Sequence, residues 1–139
     1  MTPGSPRGLR IQAVITGMAC GGAERQMATL TAGLADRGHD VRLAVLHGRD
    51  SFFELDPRVG VRYFERDAGR PAGKVARVVG RWRWLRERLA EERLDVVLSF
   101  IDVANVWTLA AAPRATPVVV SERIHPPSHR VPRYVAVGR

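Results

Sequence analysis

Short apolar runs alternate along the chain with longer segments whose apolar residues recur every three or four positions. Between them stand turns rich in glycine, proline and charged residues. Runs rich in β-branched residues are typical of strands that a parallel sheet buries on both faces. Five such runs predict strands at residues 9–16, 41–46, 59–64, 95–100 and 117–121.

Three segments between these runs carry helical periodicity. The first opens at the glycine turn of residues 17–22 and is predicted to end at Gly38, a residue suited to a helix C-terminus. The second is a long basic helix over residues 74–93, and the third a short helix over 103–111, for which Asp102 is the predicted N-cap. The apolar stripe of the basic helix is predicted to contain Val75, Val78, Val79, Trp82, Leu85 and Leu89.

Strands that alternate with helices imply crossover connections, hence an α/β fold: a Rossmann-like parallel sheet flanked by helices. The expected organisation is a flexible leader over residues 1–8, one domain over 9–127 and an irregular basic tail over 128–139. Trp82 is expected in the core, whereas Trp84 lies off the stripe.

Composition narrows the classes of function. Cys20 is the only cysteine, so an internal disulfide and a multi-cysteine metal site are excluded, and we expect no metal. No apolar run is long enough to cross a bilayer, and we expect a cytoplasmic protein. The net charge of +8 comes almost entirely from arginine, Lys74 being the only lysine. No nucleic-acid partner is expected, because no aromatic platform or recognised motif accompanies the basic residues.

In open α/β sheets, ligands bind beyond the carboxyl ends of the strands. Four segments should meet there: residues 17–22, 47–50, 99–105 and 121–125. At Gly21 and Gly22 the absence of side chains would let a phosphate or a sugar approach the backbone and the start of the next helix. The alternative is a tight turn that needs glycine for its backbone alone.

Two further groups of residues have both a functional and a structural interpretation. Ser121, Glu122 and Arg123 could bind hydroxyls or a phosphate, or form a surface ion pair, and His125 is either a general base or an exposed loop residue. The basic helix either lies on an anionic membrane or is an ordinary crossover helix with a solvated face. Its predicted membrane-facing residues are Arg77, Arg81, Arg83, Trp84 and Arg88.

Four motifs in order resemble the N-terminal domain of the retaining glycosyltransferases of family 4, whose GT-B fold has two facing Rossmann-like domains. They are GGAER at 21–25, DRGHDV at 36–41, LDVVLSF at 94–100 and VVVSER at 118–123. The resemblance implies that Gly21 and Gly22 face the donor diphosphate. The acceptor side of the cleft would comprise Ser99, Asn105, Ser121, Glu122, Arg123 and His125.

The resemblance also implies a function. The chain would be the acceptor-binding half of an enzyme that moves a sugar from a sugar nucleotide, a co-substrate rather than a bound cofactor, to a glycan or lipid-linked acceptor at the inner face of the membrane. The family's diphosphate-binding Arg/Lys pair and E-x7-E motif do not occur in this chain. We therefore expect a truncated chain that is inactive alone. The alternative is a non-catalytic module that docks on anionic membrane or on a separate donor-binding chain.

Overall fold

The computed structural model of the protein describes residues 7–69, 73–91 and 93–122. The predicted leader and tail lie largely outside this part of the chain. Strands alternate with helices as the periodicity predicts, except that two strands and then two helices follow each other in the middle of the chain. In chain order they are β1 (Arg10–Ile15), α1 (Gly22–Asp36), β2 (Asp40–Val45), β3 (Gly60–Tyr63), α2 (Phe64–Asp67), α3 (Lys74–Leu89), β4 (Val96–Phe100), α4 (Asp102–Ala111) and β5 (Val118–Ser121).

The strands form one parallel sheet in the order β3-β2-β1-β4-β5. β1 lies at the centre, where Ile11 pairs with Val41 of β2 on one side and with Val96 of β4 on the other. From Ile11 to Ile15 every residue of β1 is buried. The α/β class with a Rossmann-like parallel sheet is therefore confirmed.

Each face of the sheet has its own apolar core. On one face, Met27 of α1 packs with Ile15 and Leu43. On the other, Leu85 of α3 and Ala104 of α4 belong to a second cluster. Because the strands are all parallel, they end at one edge of the sheet, which is the edge where ligands bind in sheets of this kind.

α1 ends at the predicted glycine. Gly38 has a φ of +83°, a backbone conformation that costs little only for glycine. The amide of Gly38 donates to the carbonyl of Ala35 at 2.9 Å, and that of His39 donates to the carbonyl of Leu34 at 3.2 Å. This pair of bonds is the Schellman arrangement, which satisfies the last carbonyls of a helix and turns the chain into β2.

α3 runs antiparallel to β2, and two contacts fix its height on the sheet. The Nε of Arg81 donates to the carbonyl of Leu46, just past the end of β2, at 3.1 Å. Arg42, near the start of β2, pairs with Glu91, just beyond the end of α3. Because a helix rises ~1.5 Å per residue, the first turns of α3 project about 10 Å past the carboxyl edge of the sheet.

This projection corrects the predicted apolar stripe of α3. Leu85 and Leu89 are buried as expected, but Val75 is 77% exposed, Val78 49% and Val79 48%. No strand lies beneath the first turns of the helix, so their apolar side chains have no sheet to pack against. We call Val75, Val78 and Val79 the valine patch.

Trp84 of α3 departs from the prediction, whereas Trp82 agrees with it in part, since it packs against the second core cluster. Trp84 is buried, whereas Trp82 is only half-buried. The indole Nε1 of Trp84 donates to a carboxylate oxygen of Asp67 at 2.9 Å, and its ring meets the Phe64 ring edge-on with centroids 5.8 Å apart. A buried indole needs such a partner for its N–H. Asp67 lies in α2, a short helix that the sequence pattern did not predict.

Three boundaries also differ from the predictions. Phe64 begins α2 instead of ending β3, and α3 ends at Leu89 rather than at residue 93. The N-cap position of α4 is occupied by Ile101, with a φ of 76°, and Asp102 is the first helical residue. Asp102 is therefore a buried acid in the first turn of α4, where the helix dipole favours a carboxylate.

Replacement of the two tryptophans should separate their roles in stability. Trp84→Phe keeps the aromatic ring but removes the N–H that Asp67 accepts, and we expect it to lower the free energy of unfolding by about 1–3 kcal/mol. Trp82→Phe is the matched control on the same helix; because Trp82 is only half-buried against the second core cluster, we expect a smaller loss, below about 1 kcal/mol. Urea denaturation measures both; equal losses would contradict the assignment of Trp84 to the core.

Candidate functional site

The loops that follow β1 and β2 are held together at the carboxyl edge of the sheet. The amide of His47 donates to the carbonyl of Thr16 at 2.7 Å, and the amide of Phe52 donates to the carbonyl of Met18 at 2.8 Å. These bonds extend the β1–β2 ladder into the loops. Two of the four segments predicted to converge, 17–22 and 47–50, are thus neighbours.

Between these loops is an open cavity of about 480 Å³, which we call the cleft cavity. Phe52 stands at its border with 68% of its surface exposed, and the exposed Cys20 lines it as well. Polar groups and an exposed aromatic ring thus share one concave surface. The lining residues are Gly17, Met18, Ala19, Cys20, His47, Gly48, Asp50, Ser51 and Phe52.

Sequence reasoning missed Phe52 and its neighbour Ser51. Their segment has no periodicity, and its place in the cavity depends on the hydrogen bond from Phe52 to Met18. One signal was present: two adjacent phenylalanines, Phe52 and Phe53, stand in an otherwise polar loop directly after a buried strand. Their rings are packed edge to face with centroids 5.2 Å apart, an arrangement that leaves the Phe52 ring exposed.

The glycine turn does not have the geometry of a turn that requires glycine. Gly21 has an extended backbone, with φ −158°, and Gly22 is not among the glycines of positive φ. A Cβ atom on Gly22 would meet nothing within 4 Å, whereas one on Gly21 would meet only the flexible end of Glu24. The space beside Gly22, at the start of α1, is open, so a ligand could approach its backbone without displacing protein atoms.

Asn105 and Ser121 lie together at the carboxyl ends of β4 and β5. The carbonyl of Ser121 accepts from the amide of Ile101 at 3.1 Å and from Nδ2 of Asn105 at 3.4 Å. Within the described residues, the buried side-chain oxygens Oδ1 of Asn105 and Oγ1 of Thr16 have no hydrogen-bond partner. Thr16 follows β1 directly, so both oxygens lie near the point where the strand order reverses.

Ser99 does not face the cleft, contrary to the prediction. It is fully buried, and its Oγ accepts a hydrogen bond from the hydroxyl of Thr108 at 3.1 Å. Ser99 therefore links β4 to α4 through this hydrogen bond. Glu122 is exposed at the end of β5. Arg123 and His125 lie outside the described residues.

The predicted membrane-facing set divides into exposed and buried residues. Arg77 and Arg83 are exposed, as expected. Arg81 and Trp84 are buried, and this part of the prediction is wrong because both pack onto Phe64 beneath α3. The fifth, Arg88, is mostly covered: its guanidinium lies 5.8 Å from the centroid of the buried Trp84 ring and 3.9 Å from a carboxylate oxygen of Glu91.

His47 is the most electrostatically perturbed group of the cleft cavity. Its Nδ1 is 3.3 Å from a terminal nitrogen of Arg81 and 3.8 Å from a carboxylate oxygen of Glu65. Burial lowers the pKa of His47, and the positive charges of Arg81 and, more weakly, Arg77 lower it further, while Glu65 opposes them. A neutral imidazole whose Nδ1 accepts from Arg81 agrees with both the distance and the direction of the shift.

The described residues contain no candidate membrane span and no candidate metal site. None of their helices combines the length and the apolar character needed to cross a membrane. No group of three or more His, Cys, Asp or Glu side chains among them is arranged to hold a metal ion.

A parallel Rossmann-like sheet with an open cavity at the carboxyl ends of its strands is the arrangement in which α/β domains bind their ligands. Residues 20–137 match the family described as Glycosyltransferase Family 4, and the chain belongs to that family. It is 32% identical over 116 residues, 82% of its length, to the GalNAc-alpha-(1->4)-GalNAc-alpha-(1->3)-diNAcBac-PP-undecaprenol alpha-1,4-N-acetyl-D-galactosaminyltransferase of Campylobacter jejuni. The match covers 32% of that enzyme, so the chain spans about a third of its relative's length.

The lowered pKa of His47 predicts a pH dependence of stability. Below the ordinary histidine value of about 6.5, the unfolded chain binds a proton that the folded protein still excludes. The free energy of unfolding should therefore fall as the pH drops from that value towards the pKa of the folded state. His47→Gln should flatten this part of the profile, which urea denaturation between about pH 5 and 8 would measure. Superimposable profiles for the two proteins would show that His47 does not cause the slope.

Proposed function

We propose that this chain is the acceptor-binding half of a GT-B glycosyltransferase that moves a sugar from a sugar nucleotide to a glycan or lipid-linked acceptor. Membership of glycosyltransferase family 4 supports the reaction class. The relative's name describes a glycan joined through a diphosphate to undecaprenol, which supports a lipid-linked acceptor. We also propose that the protein works at the inner face of the membrane, where it would meet such an acceptor.

The observation that carries the proposal is the composition of the cleft cavity. A pyranose ring has one face rich in C–H groups and a rim of hydroxyls. The exposed ring of Phe52 offers an apolar surface for the first, while the carboxylate of Asp50 and the hydroxyl of Ser51 offer partners for the second. An open cavity of about 480 Å³ is large enough for sugar units.

The donor side of the cleft is represented in this chain by the glycine turn. The open backbone at Gly22, where α1 begins, would suit the diphosphate of a sugar nucleotide. Transfer also needs preorganised cations that stabilise the departing diphosphate. We propose that a donor-binding half supplies them, and that residues 1–139 alone do not turn over. Gly21 and Gly22 would face this donor; Asn105, Ser121, Glu122, Arg123 and His125 would remain on the acceptor side.

Glycan binding by this chain tests the acceptor role. Phe52→Ala removes the exposed ring at little cost to the fold, and we expect about tenfold weaker binding, or roughly 1.4 kcal/mol, to whichever short glycan of a panel the wild type binds. Leu109→Ala is the matched control, since Leu109 is 55% exposed on α4 and does not line the cavity. Isothermal titration calorimetry gives the affinities.

A parallel assay with a panel of sugar nucleotides measures release of nucleoside diphosphate. We expect no release of nucleoside diphosphate from this chain alone. Sustained release would contradict its role as a half-enzyme. If no glycan binds, or if Phe52→Ala and wild type bind equally, the acceptor role at this cavity is refuted.

A second candidate function, docking on an anionic membrane, is favoured by the valine patch. Its three valines project beyond the sheet at one end of α3, and exposed cations accompany them along the helix. Apolar side chains beside arginines and lysines suit an interface of acyl chains and anionic headgroups. The exposed cations of α3 are Lys74, Arg77, Arg83 and Arg86.

Vesicle co-sedimentation tests the docking surface. We expect the protein to bind vesicles of phosphatidylcholine with phosphatidylglycerol and to dissociate from them at high salt. It should not bind vesicles of pure phosphatidylcholine. The double variant Val75→Glu/Val79→Glu should bind about tenfold more weakly, because two carboxylates would oppose insertion. Val119→Glu, at an equally exposed valine on β5, is the control. If all three proteins bind alike, the valine patch is not the docking surface.

A further inference from the structure

A second cavity lies at the amino edge of the sheet, opposite the cleft cavity. It occupies about 310 Å³ beside the first residues of β2 and β3 and the end of α3. Four arginines and two acids line it, a formal surplus of two positive charges. We call it the arginine pocket. Its charged residues are Asp40, Arg42, Arg58, Arg62, Arg88 and Glu91.

The register of the sheet explains why its surface is hollow at this place. Arg42 pairs with Gln12 of β1 and with Gly60 of β3, so the three residues point to the same face. Ala44 and Arg62 pair two residues further along and project from that face as well. The small Ala44 and the bare backbone of Gly60 form a floor between longer side chains. A Cβ atom on Gly60 would lie 3.6 Å from Cγ of Arg42, in ordinary contact, so a larger side chain there would extend into the pocket.

Arg88 differs from the other three arginines of the pocket, each of which forms hydrogen bonds with a carboxylate. Within the described residues, the Nε of Arg88 is buried without a hydrogen-bond partner. Its terminal nitrogens lie 3.8 Å from Glu87 and 3.9 Å from Glu91, too far for hydrogen bonds. The side chain is only 23% exposed. Arg88 is therefore a largely covered cation whose donors an oxyanion could use.

Asp67 positions two of the cations around the pocket. One of its carboxylate oxygens accepts from Nε of Arg62 at 3.1 Å and from the indole of Trp84 at 2.9 Å. The guanidinium of Arg88 lies 5.8 Å from the centroid of that indole ring. Because Trp84 is buried, both cations rest on a fixed support, which lowers the entropic cost of binding a ligand between them.

The lining indicates which anion would fit. The planar fork of a guanidinium matches the oxygens of a phosphate group. No aromatic side chain is among the described residues that line the pocket, so a nucleobase would find no stacking partner. The side chains of Gln12, Asp40 and Glu91 can instead pair with hydroxyl groups. The two carboxylates repel a bare anion but accept from hydroxyls, so the pocket should prefer a hydroxylated phosphate ester to free phosphate.

We propose that the arginine pocket binds a small phosphate ester that carries several hydroxyl groups, with its phosphate on Arg88. β1 has six residues, and at ~3.3 Å per residue it separates the two edges of the sheet by about 20 Å. A ligand of the arginine pocket therefore does not reach the cleft cavity and is not a reactant of sugar transfer there. This inference goes beyond the proposed function and does not depend on it.

Isothermal titration calorimetry with ribose 5-phosphate at low ionic strength tests the assignment. We expect ribose 5-phosphate to bind at least tenfold more tightly than inorganic phosphate and ribose to show no measurable binding, because only the ester uses both the cation and the hydroxyl partners. Arg88→Gln should weaken binding of the ester at least tenfold. Arg86→Gln is the matched control, since it removes one charge from an exposed position of α3 outside the pocket, and it should change the affinity less than twofold.

A second variant and an NMR measurement locate the ligand. Gly60→Leu fills the floor of the pocket and should abolish binding while the unfolding transition in urea is retained. In NMR spectra, ribose 5-phosphate should shift the indole N–H signal of Trp84, beside Arg88, but not that of Trp107, which lies outside the pocket.

Three results would overturn the proposal. The first is a wild type that does not bind ribose 5-phosphate or binds inorganic phosphate as tightly. The second is an Arg88→Gln or a folded Gly60→Leu variant that binds like wild type. The third is a ligand-induced shift at Trp107 without one at Trp84.

Discussion

The central position of β1 is the constraint on which the rest of the structure depends. Because β1 has a parallel partner on each side, its connections must cross the faces of the sheet, and helices have to cover both faces. The chain leaves β1 towards β2 and later returns on the other side to β4. The loops after these strands therefore gather at one edge of the sheet, and the cleft cavity lies there between the loops that follow β1 and β2.

Arg81 links this edge to the helix layer. Its Nε caps the carbonyl of Leu46, and its plane contacts Phe64, so a charged residue sets the height of α3 on the sheet. A buried guanidinium is costly unless its donors and its charge are used. Here the same side chain also reaches His47, which lines the cleft cavity. The net charge of +8 therefore says less about function than the placement of one arginine.

The strands, the fold class and the end of α1 could be predicted from sequence, since each depends on local signals such as β-branched runs and the left-handed Gly38. The burial of Trp84 and Ser99 could not be predicted from the sequence. Each is satisfied by a partner that no periodicity reveals, the carboxylate of Asp67 in one case and the hydroxyl of Thr108 in the other. A prediction of burial from a hydrophobic stripe also requires that a sheet lies beneath the whole length of the helix.

The packing of α3 shows which of its side chains are buried at the expense of others. Burial of the three valines of the patch would have gained roughly 1.5–3 kcal/mol for each fully covered side chain. The helix instead buries Trp84, a larger apolar surface with a satisfied indole, and uses Arg81 to cap a strand. Because the sheet ends at the level of Arg81, no rotation of α3 could bury Val75 against it. The exposed valine patch is therefore a consequence of short strands paired with a long helix.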